Sequence, residues 1–134
     1  MKYSKYNYKY QLKEDVVHCL DNFTEAFSCD YFSCSHGTLV IKKGYAWDGC
    51  SGPTIDTKNS MKAGLVHDCL YQAMRLGLMS ETYKSFADKT FYKILRENKM
   101  NIIRAKVWYL GVKLFAASFC KKGNLQGKDS VVEA

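Results

Sequence analysis

No apolar run in this sequence approaches the roughly 20 residues that a membrane-spanning helix needs, so the reading is of a soluble chain. Metal-finger spacing is also missing. The 6 cysteines (Cys19, Cys29, Cys34, Cys50, Cys69, Cys120) form no C-x-x-C pair, and the 3 histidines (His18, His36, His67) are scattered among them. Six cysteines in 134 residues fall well below the roughly 8–10% of a disulfide scaffold. Met1–Leu12 alternates Lys, Tyr, Ser and Asn and lacks the apolar stretch of about 7–15 residues that marks a secretory signal. The expected compartment is therefore the cytoplasm, with the cysteines kept as thiols. Arginine is scarce too: of 20 basic residues only Arg75, Arg96 and Arg104 can make the planar forked contacts that read bases or grip phosphates. A net charge of +7 attracts anionic surfaces at long range, but a solvated lysine-rich face accounts for it, and nucleic acid is not the expected partner.

What is present is enough apolar material for one domain. A hydrophobic share of 47% suits a chain that buries a core, and 134 residues is too short for two full domains. The expected organisation is one globular domain over residues 1–120, with a β region at 1–43, a glycine-rich loop at 44–58 and three helices at 59–119, then a flexible tail at 121–134. Strands precede helices, so the fold class is α+β.

From Tyr6 the chain places Tyr6, Tyr8, Tyr10 and Leu12 on one side and Asn7, Lys9, Gln11 and Lys13 on the other, the period of a half-buried strand. The interleaved tyrosines and lysines could also form a base-stacking platform, but packing beneath an exposed strand face explains the same pattern. Ala26–Cys34 and Thr38–Lys42 flank Ser35-His36-Gly37 and read as an antiparallel hairpin, with Gly37 supplying a positive φ. Gly44 to Thr54 holds three of the nine glycines and the only proline, which makes it a shaped loop. Helical spacing follows: Met61, Leu65, Cys69 and Ala73 form one line and Val66, Leu70 and Met74 another. Asp56, Thr57 or Asn59 is available as N-cap and Gly77 as stop. A second helix begins after Ser80, with Tyr83, Phe86, Ala87, Phe91, Ile94 and Leu95 inward. A third, apolar over much of its circumference, runs from Ile102 to Phe119.

The chemistry gathers on the first helix. His67 and Tyr71 are four apart and share a face, while Asp68 points about 100° around. Helical side chains lean toward the N-terminus, so Ala63 and Gly64 bound the surface beside His67 and predict an open space above the imidazole. If the first two helices turn back near Gly77 and Leu78, residues equidistant from that turn meet, which sets Asp88 opposite His67. A carboxylate there accepts a hydrogen bond from one ring nitrogen and leaves the other as a base. Asp68 points instead toward the loop. With Asp48 and the carbonyls freed by glycine, including Gly49, it offers the hard oxygen donors that calcium prefers. A structural network of satisfied polar groups at a core edge is the alternative reading of the same residues.

The string Asp48-Gly49-Cys50-Ser51-Gly52-Pro53, the helix His67-Asp68-Cys69-Leu70-Tyr71 and the later Ala87-Asp88 resemble a family of small uncharacterised proteins found mostly in phages and prophages. That resemblance covers roughly Thr38 to Leu114 and implies an infected bacterial cytoplasm, or the virion, as the location. Over a shorter stretch the same residues are similar to secreted phospholipase A2, above all its bacterial and fungal branch. The resemblance implies a calcium-dependent ester hydrolase with an antiparallel helix pair. In it His67 activates water, Asp88 orients the histidine, Tyr71 hydrogen-bonds the pair, and Asp48, Asp68 and the carbonyl of Gly49 hold calcium. The chain differs from the animal enzymes in having Gly64-Leu65-Val66 where they carry paired cysteines, and in its β-rich N-terminal region. An anionic lipid surface is the implied partner. The alternative is a non-catalytic phage accessory or virion protein that binds a host or phage protein.

Overall fold

The computed structural model describes residues 3–4, 10–47 and 60–115. The chain is α+β: among the described residues seven short strands, β1 (Tyr3–Ser4), β2 (Tyr10–Leu12), β3 (Val16–Cys19), β4 (Phe27–Ser28), β5 (Phe32–Ser35), β6 (Thr38–Ile41) and β7 (Ala46–Trp47), precede three helices, α1 (Met61–Arg75), α2 (Lys84–Glu97) and α3 (Ile102–Phe115). It divides into two compact units, one holding the strands and one the helices. Among the described residues no helix is long and apolar enough to cross a membrane.

The strand unit contains two antiparallel sheets, ordered β1-β2-β7 and β3-β6-β5-β4. Tyr10 and Leu12 are buried and Gln11 is not, so the alternation expected around Tyr10 is present; Tyr6 to Lys9 lie outside the described residues. The hairpin β5–β6 forms as expected, with Ser35 paired to Thr38. Both central residues, His36 (φ 51°) and Gly37 (φ 76°), take positive φ, the turn whose twist matches a two-residue β-hairpin. Ala26–Cys34 is not one strand: it breaks into β4 and β5 around a turn in which the Cys29 N–H donates to the Phe32 carbonyl at 2.9 Å. Strand β3 was not foreseen. It has an exposed Val17 beside a buried Val16, and it is held as the edge partner of β6 by register rather than by hydrophobic alternation. The loop expected from Gly44 starts later, because Ala46 and Trp47 pair with β2 as β7. Trp47 is fully buried, its ring 5.4 Å from that of Tyr10.

The helix unit is punctuated by local caps. Ser60, rather than Asp56, Thr57 or Asn59, occupies the N-cap position of α1. At its end Gly77 (φ 77°) donates to the Met74 carbonyl and Leu78 to the Ala73 carbonyl, the paired bonds of a Schellman stop. Ser80 Oγ accepts from the Thr82 N–H to start a short 3-10 turn that leads into α2. Lys99 closes α2 with the same bond pattern as Gly77, despite being a non-glycine residue with φ 68°. Asn101 Oδ1 then caps α3 by accepting from the N–H groups of Ile103 and Arg104. Ala87, Phe91, Ile94 and Leu95 of α2 are buried as expected, whereas Tyr83, in the 3-10 turn, and Phe86, in the first turn of α2, are only half-buried. The residues beyond Phe115 that were expected to extend α3, and the tail, lie outside the described residues.

Gly37 has no room for a side chain: a Cβ there would sit 2.9 Å from the Leu20 carbonyl oxygen, which lies against a backbone already at φ 76°. Gly37→Ala should therefore cost roughly 1–2 kcal/mol, read as a lowered urea midpoint at unchanged slope. A midpoint equal to that of the parent protein would contradict this account of the turn.

Candidate functional site

Helix α1 buries Leu65, Val66, Cys69, Leu70, Ala73 and Met74. That orientation leaves His67 and Tyr71, one turn apart, on the face turned to α2, with ring centroids 4.1 Å apart. The Schellman stop reverses the chain, and α2 brings back Asp88 between the buried Ala87 and Phe91, the Phe91 ring lying 5.2 Å from the imidazole. His67 Nε2 donates to Asp88 Oδ1 at 2.8 Å, and the Tyr71 hydroxyl donates to the same oxygen at 2.6 Å. Thus the structure brings together His67, Tyr71 and Asp88, the three residues singled out in the sequence for a general-base site.

Sequence reasoning missed Lys84. Its ammonium donates to the second carboxylate oxygen, Asp88 Oδ2, at 2.7 Å, and to the Lys113 carbonyl at the end of α3 at 3.3 Å. The signal was present: Lys84 and Asp88 are four apart on one helix, the spacing of an intrahelical ion pair. Asp88 therefore carries three donors on two oxygens, which is what a carboxylate 1% exposed requires.

These contacts set the charge states. Burial alone would raise the Asp88 carboxyl, but the hydrogen bonds from His67, Lys84 and Tyr71 outweigh it and hold the group below its ordinary range. Burial pushes the His67 imidazole down, against the raising pull of Asp88 and with the positive charge of Lys84 adding to the fall. The pair at neutral pH is thus a neutral imidazole beside an ionised carboxylate. An ionised carboxylate only accepts, so Nε2 carries the ring proton and Nδ1 carries the lone pair.

The remaining predicted residues are distributed differently. Asp68 is partly exposed on α1 next to His67. Asp48 and Gly49 lie outside the described residues, as does most of the glycine-rich loop. Asp68 is the one carboxylate of the predicted calcium set that is described, and among the described residues no group of three His, Cys, Asp or Glu side chains gathers. The open space expected beside Ala63 and Gly64 is not seen either: both are buried, and His67 is 2% exposed.

Because the folded-state pKa of His67 is depressed, the unfolded chain takes up that proton first as pH falls. The contribution of this group to stability is complete above about pH 6.5 and is lost progressively below it. Asp88, also depressed, adds a further loss below about pH 3.8. Urea unfolding between about pH 7 and pH 5 should show falling stability in the parent protein and a flatter profile in His67→Gln. Removing the shared acceptor strands three donors, so Asp88→Ala should cost about 3–5 kcal/mol and Tyr71→Phe about 1.5–3 kcal/mol. A cost under about 1 kcal/mol for Asp88→Ala would contradict the network.

Residues 23–112 match the family described as protein of unknown function (DUF1353), a span that contains His67, Tyr71, Lys84 and Asp88. No curated protein and no solved structure matches the chain. With about two thirds of its length in that match, the chain belongs to the DUF1353 family.

Proposed function

We propose that this protein is a calcium-dependent hydrolase of esters, phospholipids being the substrate class, in which His67 is the general base. The reading is carried by the bond from His67 Nε2 to Asp88 Oδ1, because it leaves Nδ1 of a neutral imidazole with its lone pair available. In the proposed reaction water gives a proton to Nδ1 while its oxygen attacks the ester carbonyl carbon. The bond from that carbon to the leaving oxygen then breaks, and the proton passes from Nδ1 to the leaving alkoxide, giving an acid and an alcohol. Asp88 and Tyr71 are positioning residues: the carboxylate fixes the ring and stabilises the transient imidazolium without taking its proton. Asp68, with Asp48 and the carbonyl of Gly49, would supply oxygen donors of the kind calcium takes. When bound, calcium would stabilise negative charge developing on the carbonyl oxygen. The resemblance of the D-G-C-S loop and H-D-x-L-Y helix to phospholipase A2 supports the same assignment.

The burial of the imidazole, 2% exposed, favours a second reading. In it the protein is a non-catalytic phage accessory or virion protein, the same bonds brace α1 on α2, and the partner is a host or phage protein.

Turnover of mixed phospholipid vesicles distinguishes the two. The hydrolase reading expects release of fatty acid that stops when calcium is chelated and falls about 10²–10⁴-fold in His67→Gln. It expects a rate already level at neutral pH that declines only below about pH 6.5, since protonation of the depressed imidazole removes the base. Absence of turnover, together with no heat of calcium binding by titration calorimetry, would leave the second reading standing.

A further inference from the structure

Helix α3 is apolar on two opposite faces. Ala105, Trp108 and Val112 are buried on the side that packs against α2. On the other side Ile103 (72% exposed), Val107 (59%), Leu110 (50%) and Leu114 (68%) follow one another at i, i+4, i+7 and i+11, and so form one continuous stripe along the helix. An exposed apolar row of this length marks a contact surface rather than ordinary surface scatter.

The charge around the stripe selects what it contacts. Arg104, Lys106 and Lys113 are the ionisable groups of α3 with fixed charge, all three are positive, and the helix contains no Asp or Glu. Lys106 and Lys113 border the stripe on one side, with the Lys113 ammonium 6.0 Å over the Tyr109 ring. Alongside runs a groove of about 400 Å³ between α2 and α3, lined by Lys89, Tyr92, Lys106, Tyr109 and Leu110. Lysine and tyrosine both present an apolar body with a polar tip, which suits the boundary between hydrocarbon and headgroups. Two copies of this chain joined along the stripe would set lysine against lysine, whereas an anionic bilayer offers hydrocarbon to the stripe and opposite charge to its border.

We infer that α3 is an interfacial helix that docks this protein on anionic lipid bilayers through Ile103, Val107, Leu110 and Leu114, with Lys106 and Lys113 on the headgroups. Its purpose, presenting lipid to His67, rests on the hydrolase reading. The two are joined structurally by Lys84, which bonds both Asp88 and the Lys113 carbonyl.

Flotation of the full chain with ether-linked vesicles tests the inference, since those lipids have no ester to cleave and uptake is read whether or not the protein is an enzyme. The expected result is uptake by phosphatidylcholine–phosphatidylglycerol vesicles, little by phosphatidylcholine alone, and release by added salt. Ile103→Asp with Val107→Asp should lower partitioning by more than about tenfold. Lys106→Gln with Lys113→Gln should lower it roughly 30-fold. Circular dichroism should be unchanged, because all four side chains are exposed. Equal uptake by neutral and anionic vesicles, or variants that partition like the parent, would overturn the inference. So would a dimer in sedimentation that dissociates in the Ile103→Asp, Val107→Asp variant, which would assign the stripe to a second copy. Uptake without turnover of ester-linked vesicles sustains the docking helix and sinks the hydrolase; turnover without uptake does the reverse.

Discussion

A single buried carboxylate organises the helical unit. Asp88 is 1% exposed, and a charge at that depth persists only if every oxygen is occupied. Its donors are His67 and Tyr71 on α1 and Lys84 one turn back on α2, and the same Lys84 ammonium also donates to the Lys113 carbonyl in the last turn of α3. The apolar faces of the helices supply most of the driving force for packing, but area is non-directional and would tolerate sliding. The hydrogen bonds to Asp88 fix one register of α1 against α2. They also fix which ring nitrogen of His67 is protonated, so packing and chemistry are set by the same atoms.

That register depends in turn on how the chain reverses. A Schellman stop at Gly77 and a serine-capped 3-10 turn from Ser80 leave almost no freedom between the helices, and this makes positions 67 and 88 meet. The cost is a protonation liability: the depressed imidazole makes the network weaken on mild acidification. Whether the neutral base acts on substrate or only braces two helices, its state follows from burial on one side and Asp88 on the other.

Much of this was legible in the residues. The hairpin at His36-Gly37, the stop at Gly77 and the pairing of His67 with Asp88 each rest on a local rule, positive φ in the turns and mirror symmetry about a reversal, that tertiary context does not overrule. Strand β3 was not legible, because an edge strand with one buried valine has no alternation to detect. The break in Ala26–Cys34 was hidden by continuous β propensity on both sides of the turn. Lys84 was hidden by its type, since a lysine on a helix is ordinarily a solvated surface charge, and only the depth of Asp88 turns it into part of the network. Apolar residues around the whole of α3 were visible in sequence, but which of them face α2 and which face outward required the structure.

The central claim concerns one proton on one ring. Nitrogen-15 NMR of the labelled protein reports the tautomer and titration of His67 directly. The account predicts a neutral ring at pH 7 with the proton on Nε2, a bare Nδ1, and a midpoint below 6.5. An imidazolium at neutral pH, or a ring protonated on Nδ1 instead, would contradict it.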